Sequence, residues 1–252
     1  PQRSFLEKVY FFIIEGGTYL VLFTPLILVK SYFYPFVSPK SLFLRIIVDI
    51  IFIAYILLVI SKQKYLPKIN SLVIGIAIFL GVVILTSFTG VNLERSFWST
   101  FERMTGILTF LHLFAFFIIL TSVFKERKYW ERILSVSILV GVIISLYVLF
   151  SDEASSRGGG TIGNTSFMSA YLLFDIFFAI ILFFAKKGWW KIPYGMALAT
   201  LLWALFFNIE PTRGAIGAFL GGAFILILGY MIFSQNRLLK RLAPVALVLV
   251  IL

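Results

Sequence analysis

Apolar runs of about 17–25 residues, the length that crosses a bilayer as a helix, recur along this chain from one end to the other. Inside hydrocarbon every backbone N–H and C=O must be satisfied by the protein itself, so such runs admit helices or a closed barrel and little else. The runs are continuous and do not alternate, which argues against barrel strands. Hydrophobic residues make up 61% of the chain and charged residues 13%, against roughly 45–50% apolar usage in soluble domains. The sequence therefore predicts an all-α, polytopic transmembrane helical bundle, a single domain over residues 1–252.

Spans are predicted over about Val9 to Val29 (interrupted at Glu15-Gly16-Gly17), Ser41 to Ile60, Ile69 to Phe88 and Gly106 to Phe124. Four more are predicted from Ile133 to Phe150, Ser166 to Phe184, Pro193 to Phe207 and Ala215 to Phe233. A ninth begins near Leu242 and runs out at Leu252. Since the first residue is Pro1 and that last run is incomplete, the chain is expected to be the N-terminal part of a longer protein. Trp98, Trp130, Trp189 and Trp190 fall at span ends, as interfacial aromatics do.

Charge sets the expected orientation. The N-terminal segment and every second gap hold fifteen basic residues: Arg3 and Lys8; Lys62, Lys64 and Lys68; Lys125, Arg127, Lys128 and Arg132; Lys186, Lys187 and Lys191; Arg237, Lys240 and Arg241. The intervening gaps and the membrane edge beside them hold seven: Lys30, Lys40, Arg45, Arg95, Arg103, Arg157 and Arg213. The positive-inside bias then predicts a cytoplasmic N-terminus. The net charge of +11 follows from those cytoplasmic loops and attraction to anionic lipid, not from nucleic-acid binding. With no cysteine, disulfides and thiol chemistry are excluded. Gly158-Gly159-Gly160 lacks the lysine and spacing of a phosphate loop, so no nucleotide site is expected.

The seven basic residues on the predicted outer side invite explanation. Phe97, Trp98 and Phe101 are spaced for one face of a short interfacial helix, with Glu94, Arg95, Glu102 and Arg103 beside them. Those four either pair among themselves as a solvated rim, or Arg103 faces a polar headgroup. In Arg157-Gly158-Gly159-Gly160-Thr161-Ile162-Gly163-Asn164, the glycines would let backbone amides approach an anion, with Arg157 supplying a guanidinium fork. The alternative is a flexible loop. Asn164, Thr165 or Ser166 would cap the following helix. Arg213 stands at the mouth of a Gly214, Ala218, Gly222 stripe, read either as a phosphate ligand or as a snorkelling interfacial arginine.

Glu15, Arg45, Asp49, His112 and Asp175 lie within predicted spans. A charge near the bilayer centre costs at least about 2.5–3.5 kcal/mol, so these groups should face protein. Arg45 and Asp49, four apart, are expected to neutralise each other. His112 reads first as a hydrogen-bonded structural group. A proton path through Glu15, Asp49, His112 and Asp175 would instead make the chain a proton-coupled transporter or lipid flippase.

Taken together, Arg95-Ser96-Phe97-Trp98 through Glu102-Arg103-Met104-Thr105-Gly106, then Gly160-Thr161-Ile162-Gly163-Asn164, then Thr212-Arg213-Gly214-Ala215 resemble the O-antigen ligase and polymerase superfamily. Lys40 and Arg45 at the start of the second span are similar to its pattern as well. The resemblance implies a glycosyltransferase of the bacterial inner membrane. It would move a glycan from undecaprenyl pyrophosphate to a periplasmic acceptor: lipid A core, another glycan or a protein. No cofactor, metal or nucleotide is implied. Arg213, Arg157, Arg103, Arg95, Lys40, Arg45 and Asn164 would bind pyrophosphate or glycan. Two departures stand out: Gly163-Asn164-Thr165-Ser166 replaces the family's Gly-Asn-Pro-Asn, and the family's proposed general-base histidine is expected beyond Leu252.

Overall fold

A computed structural model describes residues 4–150, 159–208 and 212–233. Its described part is all-α and contains no strand. The chain divides into two compact units, residues 1–140 and 141–252. The first holds α1 (Phe5–Leu22), α2 (Ser38–Ser61), α3 (Ser71–Phe88), α4 (Leu93–Trp98), α5 (Ile107–Val123) and the start of α6 (Arg127–Phe150). The second holds the rest of α6, then α7 (Thr165–Ala185), α8 (Ile192–Trp203) with a π-helical turn at Ala204–Asn208, and α9 (Arg213–Phe233). Five helical stretches are long and apolar enough to cross a membrane: Ser38–Ser61, Ser71–Phe88, Arg127–Phe150, Thr165–Ala185 and Gly188–Phe207. That is the make-up of a multi-pass membrane protein. Two further apolar helices, Ile107–Val123 and Arg213–Gly229, are shorter.

The first helix departs from its predicted bounds. It starts at Phe5, where the Ser4 hydroxyl accepts from the Glu7 N–H at 3.3 Å, and ends at Leu22 before a 3₁₀ turn over Thr24–Leu26. Gly16 and Gly17 do not interrupt it. A Cβ on Gly17 would run into the Ile51 side chain of α2, so this glycine lets the two helices approach closely. In α2, Pro39 occupies the first turn, where its missing N–H has no helical partner to lose.

The core of the first unit gathers around the C-terminal half of α2. Ile14, Ile51, Leu58 and Ile119 are fully buried there, and Phe11, Phe124 and Tyr129 form an aromatic triangle with centroids 5.3–5.9 Å apart. Buried Glu7 is held by Lys64 at 2.6 Å and by the Tyr65 hydroxyl at 2.8 Å. The hydrogen bond to Glu7 raises the Lys64 ammonium above the ordinary lysine pKa. Lys125 donates to the Lys64 carbonyl at 2.6 Å, which ties the end of α5 to the same cluster.

In the second unit, Ile144 and Val148 of α6, Met168, Leu172 and Ile176 of α7 and Leu201 of α8 are all buried. Asp175 is fully buried against Gly141 of α6, where a Cβ would meet the carboxylate. The predicted small-residue stripe of α9 is used at one position. Gly222 faces the Phe177 ring of α7, whereas a Cβ on Gly214 would meet nothing within 4 Å.

Candidate functional site

A cavity of about 570 Å³ opens at the N-terminal end of α2. Leu42 and Arg45 of α2, Asn92, Glu94, Arg95 and Trp98 at α4, and Ser99, Thr100, Phe101 and Met104 of the turn after it line it. Helix α4 begins where the Asn92 side chain accepts from the Arg95 N–H at 2.9 Å. It ends at Ser99, whose φ of 66° and ψ of −170° lie where L-residues are strained. Met104, with φ 47°, is the second such residue, and both line the cavity. Strain of this sort costs of order 1–3 kcal/mol per residue and persists only where surrounding contacts enforce it.

Those contacts can be named. The Ser38 hydroxyl donates to the Phe101 carbonyl at 3.0 Å, which holds the turn to the start of α2. Arg45 Nη2 donates to the Met104 carbonyl at 3.1 Å and to Thr109 Oγ1 at 2.6 Å. Thr109 Oγ1 also donates to the Met104 carbonyl at 2.6 Å. Gly106 completes the clamp: a Cβ there would collide with the Phe97 carbonyl and the Ser99 nitrogen, all backbone atoms. We expect Gly106→Ala to cost about 1–3 kcal/mol, the range for overpacking a tight contact. A lowered thermal unfolding midpoint would report it, with Gly75→Ala, where a Cβ meets nothing within 4 Å and the midpoint should not fall, as the control.

The electrostatics of Arg45 decide what the cavity can hold. Its residue is only 7% exposed, and its Nε is buried with no hydrogen-bond partner. Among the described residues no carboxylate pairs with it. The expected neutralisation by Asp49 does not occur. Asp49 Oδ1 lies 3.1 Å from His112 Nε2 on α5, while the Arg45 guanidinium turns towards the Met104 carbonyl and Thr109. Spacing of four puts Arg45 and Asp49 on one side of α2, but α5 offers each a better partner across the helix interface. A guanidinium so buried and facing only neutral acceptors carries an uncompensated desolvation cost of several kcal/mol. It can be offset by an anion in the cavity.

The remaining predicted residues fall in different places. Arg95 lines the same cavity and is exposed. Arg103 is also exposed, and neither it nor Arg95, Glu94 or Glu102 makes an ion pair among the described residues. The self-paired rim is therefore absent. Phe101 lies outside α4, so it does not share a helical face with Phe97 and Trp98. Lys40 is half-buried on the first turns of α2, with its ammonium 5.8 Å from the Phe36 ring centroid. Arg157 lies outside the described residues.

The glycine loop has a local purpose in the second unit. A Cβ on Gly159 would hit the backbone at Asn164, and one on Gly160 (φ 51°) would hit Val148. Gly163 takes the left-handed conformation at φ 80°. Gly160 thus packs the turn against α6, and Gly159 lets the turn close on its own backbone. Asn164 caps α7, its side-chain oxygen accepting from the Ser166 N–H at 2.9 Å and the Phe167 N–H at 3.2 Å. Arg213 is the first residue of α9 and is exposed.

Three contributors escaped the sequence reading: Ser38, Thr109 and the Asp49–His112 pair. Each acts through a contact some sixty residues away, and only the tertiary structure supplies it. Compared with known proteins, the chain matches no family model, no curated protein and no solved structure.

Proposed function

We propose that this chain is the membrane part of a glycan transferase of the O-antigen ligase type, acting at the outer face of a bacterial inner membrane. Its donor is a glycan on undecaprenyl pyrophosphate, and its acceptor is lipid A core, a glycan or a protein. The observation that carries the reading is Arg45: a nine-tenths buried cation with an unfilled Nε donor, beside Arg95, in a cavity large enough for a pyrophosphate. Cations held there would stabilise the charge that develops on pyrophosphate as it leaves. Both guanidiniums belong to segments that also carry the family resemblance. Arg103 and Lys40 of the same unit are assigned to that donor as well, while Arg157, Arg213 and Asn164 are donor ligands on the family resemblance alone.

In the proposed topology eight helical spans are complete, the N-terminus is cytoplasmic and the Arg45 cavity opens to the periplasm. Introduced cysteines test it cleanly, because the chain has none of its own. Cysteines at Ser99, Ser155 and Asn208 should react with an impermeant thiol reagent on intact spheroplasts. Those at Gln63, Glu126 and Lys187 should not; the inverse pattern removes the reading.

The transport reading needs a connected set of intramembrane acids. Glu15 is instead engaged by the Tyr19 hydroxyl at 2.8 Å and Arg132 at 3.2 Å, and Asp49 by His112. Reconstitution discriminates between the two functions. The purified full-length protein, given lipid-linked glycan and acceptor alone, is expected to form product without ATP, added metal or a proton gradient. Movement of substrate across sealed vesicles with no transfer would overturn the proposal.

A further inference from the structure

We infer that the Met104 carbonyl occupies the anion's place on Arg45, and that pyrophosphate binds by displacing it and releasing the turn over residues 99–104. This rests on the reading of the Arg45 cavity as an anion site, and adds how its occupation is coupled to the surrounding chain. A guanidinium has two edges that present a parallel pair of N–H bonds to an oxyanion, Nε with Nη2 and Nη2 with Nη1. Nη2 belongs to both. In this structure both of its hydrogens are engaged, by the Met104 carbonyl at 3.1 Å and by Thr109 Oγ1 at 2.6 Å. Nε is buried without a hydrogen-bond partner. An anion that takes either edge must therefore draw one Nη2 hydrogen away from Met104 or Thr109.

The Met104 carbonyl is the acceptor that yields. Its contact with Nη2 is the longer of the two. It also keeps a donor when Arg45 leaves, because Thr109 Oγ1 donates to it at 2.6 Å. The Thr109 hydroxyl has its one hydrogen on that carbonyl and a lone pair towards Arg45, so it can hold both at once. Exchange of the carbonyl for an anion thus leaves no buried carbonyl unpaired, and avoids the cost that an orphaned acceptor would bring.

Release of that carbonyl removes one of the contacts that enforce the local backbone. Met104 sits at φ 47°, in the left-handed region that a Cβ disfavours, and Ser99 at φ 66° bounds the same turn. Such conformations persist only while neighbouring contacts hold them. Arg45 is one holder, and the Ser38 hydroxyl on the Phe101 carbonyl is another that the exchange does not touch. The anion and the strained turn therefore compete for the same guanidinium. Without an anion Met104 takes it, and with pyrophosphate bound Met104 is free to return to an ordinary φ.

Alanine and glycine at position 104 isolate the backbone, since both remove the methionine side chain and only alanine keeps a Cβ. Glycine takes a positive φ at no steric cost, so it favours the held turn. In the full-length protein in nanodiscs, Met104→Gly should bind geranyl pyrophosphate about fivefold more weakly than Met104→Ala does. At about 1.4 kcal/mol per tenfold that is about 1 kcal/mol, the low end of the cost of a left-handed residue with a Cβ. A second measurement leaves Met104 in place. Glu102 is an exposed residue of the turn, and the chain has no cysteine of its own to compete for a label. A fluorophore on Glu102→Cys should change its emission as geranyl pyrophosphate binds, with the same half-saturation as binding followed by calorimetry. Arg45→Met should lose both the binding and the change. Equal affinities of Met104→Ala and Met104→Gly would overturn the inference, and so would a silent fluorophore on a protein that binds. The anion would then still sit at Arg45. Undiminished binding to Arg45→Met, or no binding to wild type, removes the anion reading and the coupled turn with it.

Discussion

Arg45→Met is expected to abolish the stabilisation of this protein by pyrophosphate-bearing lipid while leaving its ligand-free unfolding midpoint nearly unchanged. The two halves of that expectation have separate causes. Without ligand, the variant loses hydrogen bonds to the Met104 carbonyl and Thr109, each charge-assisted and contributing roughly 1.5–3 kcal/mol. It also sheds the desolvation cost of a cation that no carboxylate accompanies, and methionine refills most of the volume. Replacing a buried charge by a well-packed apolar group is often close to neutral. The Met104 carbonyl keeps a partner in Thr109, which limits the damage.

With ligand the balance changes. A wild-type protein at a hundredfold excess over Kd gains about 2.7 kcal/mol of stability by mass action. The variant lacks the buried donor that holds the anion, so the gain should vanish over the same concentrations. Arg45→Lys should recover part of it, because a point charge reaches an anion but cannot keep the planar fork. Thermal scans of wild type and both variants with and without polyprenyl pyrophosphate decide the matter. Undiminished stabilisation of Arg45→Met would remove the anion from this cavity.

Helices α2, α3, α5, α7 and α9 lie within a few residues of their predicted bounds, because long apolar runs between basic clusters have no other solution in a bilayer. Helix α6 begins earlier, at Arg127, since its first turns are polar and project beyond the apolar run. The Glu15-Gly16-Gly17 interruption vanishes because Gly17 serves packing against Ile51, which no local pattern reveals. The site was legible as a set of outlying arginines and illegible as an arrangement. Whether Arg45 faced Asp49 or Met104 depended on α5, and α5 follows some sixty residues later. Likewise the glycines before Asn164 fit an anion loop or a flexible loop by sequence alone, and the clash of a Cβ on Gly160 with Val148, or on Gly159 with the Asn164 backbone, shows a packing use that neither predicts.

Those glycines leave Arg213 as the basic residue of the second unit whose placement is described and whose structural use is least evident. It occupies the first turn of α9, just after Thr212, whose carbonyl accepts from the Ala215 N–H at 2.9 Å and starts the helix. The side chain is exposed, and no ion pair or hydrogen bond holds it among the described residues. A cation there also opposes the positive end of the helix dipole. Arg213→Ala should therefore move stability by no more than about 0.5 kcal/mol, the usual range for such surface changes. Its effect on transfer should be far larger. Losing a bidentate, charge-assisted contact worth about 1.5–3 kcal/mol per bond slows the step at least roughly tenfold to a hundredfold. Arg213→Lys should restore only part of the rate, since ammonium cannot reproduce the fork. Transfer assays on the reconstituted full-length protein, alongside unfolding midpoints, separate the two effects. A variant that keeps its midpoint and near-wild-type transfer would exclude Arg213 as a ligand of the donor, and one that loses both would make it a structural residue of α9.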